Sequence, residues 1–147
     1  MSYPTKEALL NWAQNYPLLW NAGDKSAWVE NWQSVASGEF RMLDPVGTPE
    51  KRGFKACCED SWDLFQPRVS FRIQPGTLFV CANEVAWCLE NHFEGPDGAE
   101  VQYSLETYRF GDDDSVSIRT YYRVPAHDNA QLGDIVQTYL PENSEGT

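Results

Sequence analysis

The stretch EVAWCLENHFEGPDGAEVQYSLETYRF, residues 84–110, reads as one long β-hairpin. Val85, Trp87, Leu89, Asn91 and Phe93 recur at every second position, which is the period of a β-strand with one face turned inward. Gly95-Pro96-Asp97-Gly98 breaks that run with residues suited to a tight hairpin turn. Val101 to Phe110 then returns as a second long strand. A hairpin this long needs a layer to cover one of its faces.

Working outward from the hairpin adds the rest of a sheet. Gly111 to Asp114 is a second turn, and Val116 to Val124 reads as the next strand of a meander. Upstream, Leu78 to Ala82 is a short strand, and Pro75-Gly76-Thr77 turns the chain before it. Val69, Phe71 and Ile73 keep the period of two. Before Pro67 the period changes to that of a helix. Phe54 to Phe65 is one predicted helix. Asp24 caps another that carries Trp28, Trp32 and Val35 and ends at Gly38. Thr5 caps a first helix, Lys6 to Asn21, with Leu9, Trp12, Ala13, Tyr16 and Trp20 on one stripe. Pro17 inside that helix removes a backbone donor and predicts a kink. Glu39 to Leu43 is a short strand that runs into the turn Asp44-Pro45-Val46-Gly47. The expectation is an α+β domain, three N-terminal helices packed on a strongly curved, mostly antiparallel sheet, forming a cone. Residues 1–140 read as one domain and 141–147 as a polar tail.

Composition narrows the function. The 147 residues carry 11 Lys+Arg against 22 Asp+Glu, a net charge of -11. Such a chain repels phosphate and anionic lipid, so neither nucleic acid nor a membrane surface is an expected partner. The sequence shows no leader and no long apolar run, and Cys57, Cys58, Cys81 and Cys88 lack metal-site spacing. Reduced cysteines in a cytoplasmic protein are the expectation, with no metal. With 6 Trp, 7 Tyr and 7 Phe, the chain has either a very dense core or a ring-lined pocket.

The motifs Asn21-Ala22-Gly23-Asp24, Asp44-Pro45-Val46-Gly47, Arg52-Gly53, Ala82-Asn83-Glu84 and Glu106-Thr107-Tyr108-Arg109-Phe110 follow one another in a known order. The sequence resembles the NTF2-like, or SnoaL-like, superfamily with its cystatin-like cone, and within it the ketosteroid isomerase branch. That resemblance implies a cofactor-independent enzyme that shifts a double bond by moving a proton beside a carbonyl. It places Asp44 as general base and Tyr16 and Glu106 as donors to the oxyanion. This division between an ionised and a protonated acid is the standing example of pKa tuning in that enzyme. The resemblance also implies a hydrophobic, steroid-like or polycyclic substrate. The implied wall is Trp20, Trp62, Phe65, Leu89, Asn91, Phe93, Tyr108, Ile118 and Tyr122. A homodimer through the open sheet face is implied as well.

The residues alone leave alternatives. Asp44 also reads as a turn aspartate bonded to the amides of Val46 or Gly47. Val101, Tyr103 and Leu105 are apolar too, so alternation leaves the facing of Glu106 open. Glu106 stands where the isomerases carry aspartate, and Ser61 or Trp62 stands where they carry a supporting tyrosine. A cyclase or an epoxide hydrolase-like enzyme of the same fold is the second reading, the latter needing an Asp-Arg-Asp set in its pocket. A non-catalytic binding or dimerisation module, marked by Trp or Tyr on the outer sheet face, is the third.

Overall fold

A computed structural model describes residues 2–124. The polar tail and the end of the expected domain lie outside the described residues. Helix α1 spans Lys6–Ala22. Thr5 starts it, its hydroxyl accepting from the Ala8 amide at 3.1 Å. The helix continues through Pro17 without a break. Gly23 ends it at φ 71, a left-handed conformation that favours glycine, and its amide donates to the Trp20 carbonyl. Asp24 then caps α2, Lys25–Gln33, by accepting from the Ala27 amide at 3.1 Å.

Helix α2 stops well before Gly38, contrary to the sequence reading. The Ser34 hydroxyl donates to the Asn31 carbonyl at 2.6 Å, which offers the backbone a local alternative to further helix. Val35 and Ala36 stay buried beyond the helix end. Gly38 has a different task from the one expected. Its amide donates to the Asp114 carbonyl at 2.8 Å, and a Cβ there would lie 2.9 Å from the Asp113 carbonyl oxygen. The predicted third helix is also divided. A π-helical turn, Lys55–Glu59, leads into a shorter α3, Asp60–Phe65.

The strands are β1 (Phe40–Leu43), β2 (Lys51–Arg52), β3 (Ser70–Ile73), β4 (Phe79–Cys81), β5 (Glu84–Gly95), β6 (Gly98–Phe110) and β7 (Val116–Tyr122). Their order is β2-β1-β7-β6-β5-β3, with β4 also on β5. Among the described strands, only β1 and β7 pair in parallel. The two-residue β2 carries no sequence signal of its own. The β5–β6 hairpin turns at Pro96-Asp97, with Gly95 opposite Gly98, and places Trp87 opposite Glu106. The three helices cover the inner face of this curved sheet, so the architecture is α+β.

Asn21 ties the helical layer to the sheet edge. Its side chain donates to the Phe71 carbonyl at 2.7 Å and accepts from the Phe71 amide at 2.8 Å. The interior is built of rings. All six tryptophans are buried, none more than 7% exposed. They meet edge-on or tilted, the arrangement that opposed ring quadrupoles prefer. The ring surplus is therefore mostly packing. Among the described residues, no helix is long and apolar enough to cross a membrane.

Candidate active site

The open question of Glu106 is answered by its neighbours. It faces inward with Ser104 and Tyr108, which are both buried, whereas Leu105 and Tyr121 are half exposed on the outer face of the sheet. Its carboxylate accepts from the Trp87 indole at 2.8 Å and from the Tyr108 hydroxyl at 2.7 Å, both on Oε1. Ser104 donates to Oε2 at 3.3 Å. Burial raises the Glu106 pKa to about 7 against these donors, which favour the charged form, and the nearby Asp44 raises it further. This acid therefore changes protonation close to neutrality.

Asp44 sits just past β1, where the chain leaves the sheet. Tyr122 donates a hydrogen bond to its carboxylate, and its Oδ1 is buried without a partner. Burial raises its pKa too, opposed by Lys51 and by the Tyr122 bond. The turn reading of Asp44 is not what the structure shows. The Val46 amide is engaged with the Thr120 carbonyl at 2.9 Å.

Tyr16 comes from the stripe of α1 and is wedged among Trp12, Trp32, Trp87 and Phe71. Burial, then the Glu106 charge, push its pKa well up, and a hydrogen bond with Tyr108 pulls the other way. Ser61 lines the same cavity as Tyr16, and the Tyr108 ring from β6 lies 6.5 Å from the Tyr16 ring.

Tyr16, Asp44 and Glu106 line one cavity of about 50 Å³. Trp20, Phe65, Asn91, Tyr108, Ile118 and Tyr122 line it with them. Three expected wall residues lie elsewhere. Trp62 stands behind the wall, packed on Trp20 and Trp28 at ring distances of 5.2 and 4.9 Å. Leu89 is 1% exposed in the packed core. Phe93 is too far along β5 and borders a separate groove with His92 and Gln66. Sequence reasoning missed Trp28, Trp32, Cys58 and Phe71 in the wall, and missed Trp87 as a donor to Glu106. No Lys, Arg or His lines the cavity among the described residues. Arg41 pairs with Glu39 and Arg109 with Glu84, both well exposed.

No protein-family model and no curated protein matches the sequence. Solved structures do. A ketosteroid isomerase from Mycobacterium sp. aligns at 19% identity over 79% of this chain and 93% of that one, TM-score 0.56. The epoxide hydrolase/cyclase-like enzyme SalBIII, of pyran ring formation in salinomycin, aligns at 19% over 77% and 88%, TM-score 0.60. An NTF2-like protein of unknown function from Cytophaga hutchinsonii aligns at 13% over 76% and 97%, TM-score 0.51. The chain has the NTF2-like fold. Identities this low carry the architecture and not the chemistry, since one fold hosts many activities. The cavity of this chain carries a pair of acids and a wall rich in rings.

The pair gives a stability prediction. A carboxyl whose folded pKa is raised stabilises the fold only while protonated, so the contribution is full below about pH 4.5 and is lost as pH rises through about 7. A displacement of that size corresponds to ~3 kcal/mol. Glu106→Gln keeps an acceptor for Trp87 and Tyr108 and removes the ionisation. Denaturant unfolding at a series of pH values is expected to show the variant gaining on wild type by roughly that amount between about pH 5 and pH 8.

Proposed function

We propose that this protein is a cofactor-independent enzyme that moves a proton between carbons beside a carbonyl, in the manner of ketosteroid isomerases. The observation that carries the reading is the convergence of Asp44, Glu106 and Tyr16 on one small cavity. Asp44 holds an unpartnered, buried Oδ1 that is free to take a proton from carbon. Tyr16 and protonated Glu106 supply donors to the oxyanion that forms, and their burial strengthens both bonds. Asp44 then returns the proton to a different carbon, so no redox step or metal is required.

The wall also supports a choice of substrate. About 50 Å³ is a small fraction of the several hundred Å³ of a drug-sized pocket. A ring of any kind requires the wall to open, and a single-ring unsaturated ketone requires less opening than the polycyclic compound that the sequence resemblance implies. Among the described residues, the wall holds no arginine of the kind the epoxide hydrolase-like reading needs.

The test is conversion of a single-ring β,γ-unsaturated ketone and of an unsaturated ketosteroid to their conjugated isomers, followed by absorbance. The single-ring ketone is expected to turn over with the higher kcat/KM. The rate is expected to fall as pH rises through about 7, because Glu106 donates only when protonated. Absence of turnover on both ketones would remove the proposal.

A further inference from the structure

The same cavity has a wall chemistry that proton transfer leaves unused. Two carboxyl groups face it, with no cation among the lining residues described. Much of the remaining wall is ring surface, including Tyr16, Trp20, Trp28, Trp32 and Phe71. Ring faces carry the negative lobe of the aromatic quadrupole and attract positive charge. The buried Asp44 Oδ1 lacks a donor, and a buried acceptor without one is costly. Glu106, by contrast, already holds three donors. The chain's charge of -11 adds a long-range field that concentrates cations and repels anions.

We propose that this cavity binds a small protonated amine, its N–H donating to Asp44 Oδ1 and its alkyl body lying against the rings. The ligand must be compact, because the cavity measures about 50 Å³. This inference does not rest on the isomerase reading and survives its failure.

Binding of a cation needs the acids ionised, which gives it a pH dependence of defined sign. The titratable groups in the wall are Tyr16 from α1, Asp44 after β1, Cys57 and Cys58 from the π-helical turn, Glu106 and Tyr108 from β6, and Tyr122 from β7. Burial moves all three tyrosines well up and holds both thiols above their ordinary range, so these stay neutral near pH 7. Lys51 on β2 acts on Asp44 through space but does not line the cavity. Helices α2 and α3 and strand β3 bring no charged side chain to it. Glu106 is thus the group whose charge changes most across neutrality, and affinity for a cation rises with pH.

The experiment compares methylammonium with methanol, a neutral molecule of nearly the same shape, by calorimetry at about 0.15 M salt to screen exposed acids. The amine remains protonated throughout, with a pKa close to that of a lysine, ~10. Expected are at least ~10-fold tighter binding of the amine, tightening from about pH 6 to pH 8, and loss of binding in Asp44→Asn. Glu106→Gln is expected to bind with a flattened pH profile. Equal affinity for amine and alcohol, a flat wild-type profile, or unchanged binding in Asp44→Asn would each overturn the proposal. The two wild-type comparisons hold even if a variant fails to fold.

Discussion

Asparagine in place of Asp44 is expected to lower the rate of proton abstraction by roughly a hundred- to ten-thousand-fold, the range in which a positioned general base acts. The amide keeps an oxygen for the Tyr122 hydroxyl and keeps the shape of the side chain, but it cannot take a proton from carbon. The fold is expected to survive and to gain. Burial raises the Asp44 pKa, so its ionised form costs stability near neutral pH, and a neutral amide removes that cost. Rate and denaturant stability measured on one preparation therefore move in opposite directions. A residue that served structure alone would lower both.

The second large effect concerns packing. Trp12 is fully buried and touches five rings: Tyr16, Trp32, Trp87, Tyr108 and Phe110. Trp12→Ala is expected to cost ~3–5 kcal/mol of unfolding free energy, because the removed ring leaves a cavity that rigid neighbours cannot close. For a domain of this size that is a large part of a total of ~5–15 kcal/mol. Trp87 packs on Trp12 at 5.2 Å and holds Glu106. The same substitution is therefore expected to loosen the acid's setting and to let its pKa fall as water enters. Urea unfolding checks the first effect and a pH titration the second.

Much of the architecture was legible in sequence because alternation and turn chemistry are local signals. The glycine pair flanking Pro96-Asp97 fixes the hairpin register. Counting eight residues back from Gly95 and forward from Gly98 reaches Trp87 and Glu106, the pair that is bonded in the structure. That contact could have been read from the turn alone. The early end of α2 coincides with the Ser34 hydrogen bond, and the π-helical turn before α3 buries Cys57 and Cys58, and neither leaves a periodic trace. The site was legible in part. Tyr16, Asp44 and Glu106 were singled out by motif order, but which side Glu106 faces depends on which face of β6 the helices cover. The wall was harder. Trp62, Leu89 and Phe93 are apolar and on suitable elements, yet whether a ring lines a void or fills it is decided by neighbours distant in sequence. Six tryptophans could have framed a large pocket. They fill the cone instead, and a void of about 50 Å³ remains around the acids.

Under the proposed function, the Asp44 carboxylate takes a proton from carbon beside a carbonyl. Incubating wild type and Asp44→Asn with a single-ring β,γ-unsaturated ketone in deuterated buffer, and following the α-carbon signals by proton NMR, tests it most directly. Wild type is expected to exchange and conjugate the ketone at least ~100-fold faster than Asp44→Asn. Exchange by wild type no faster than in buffer, or equal rates in the two proteins, would contradict it.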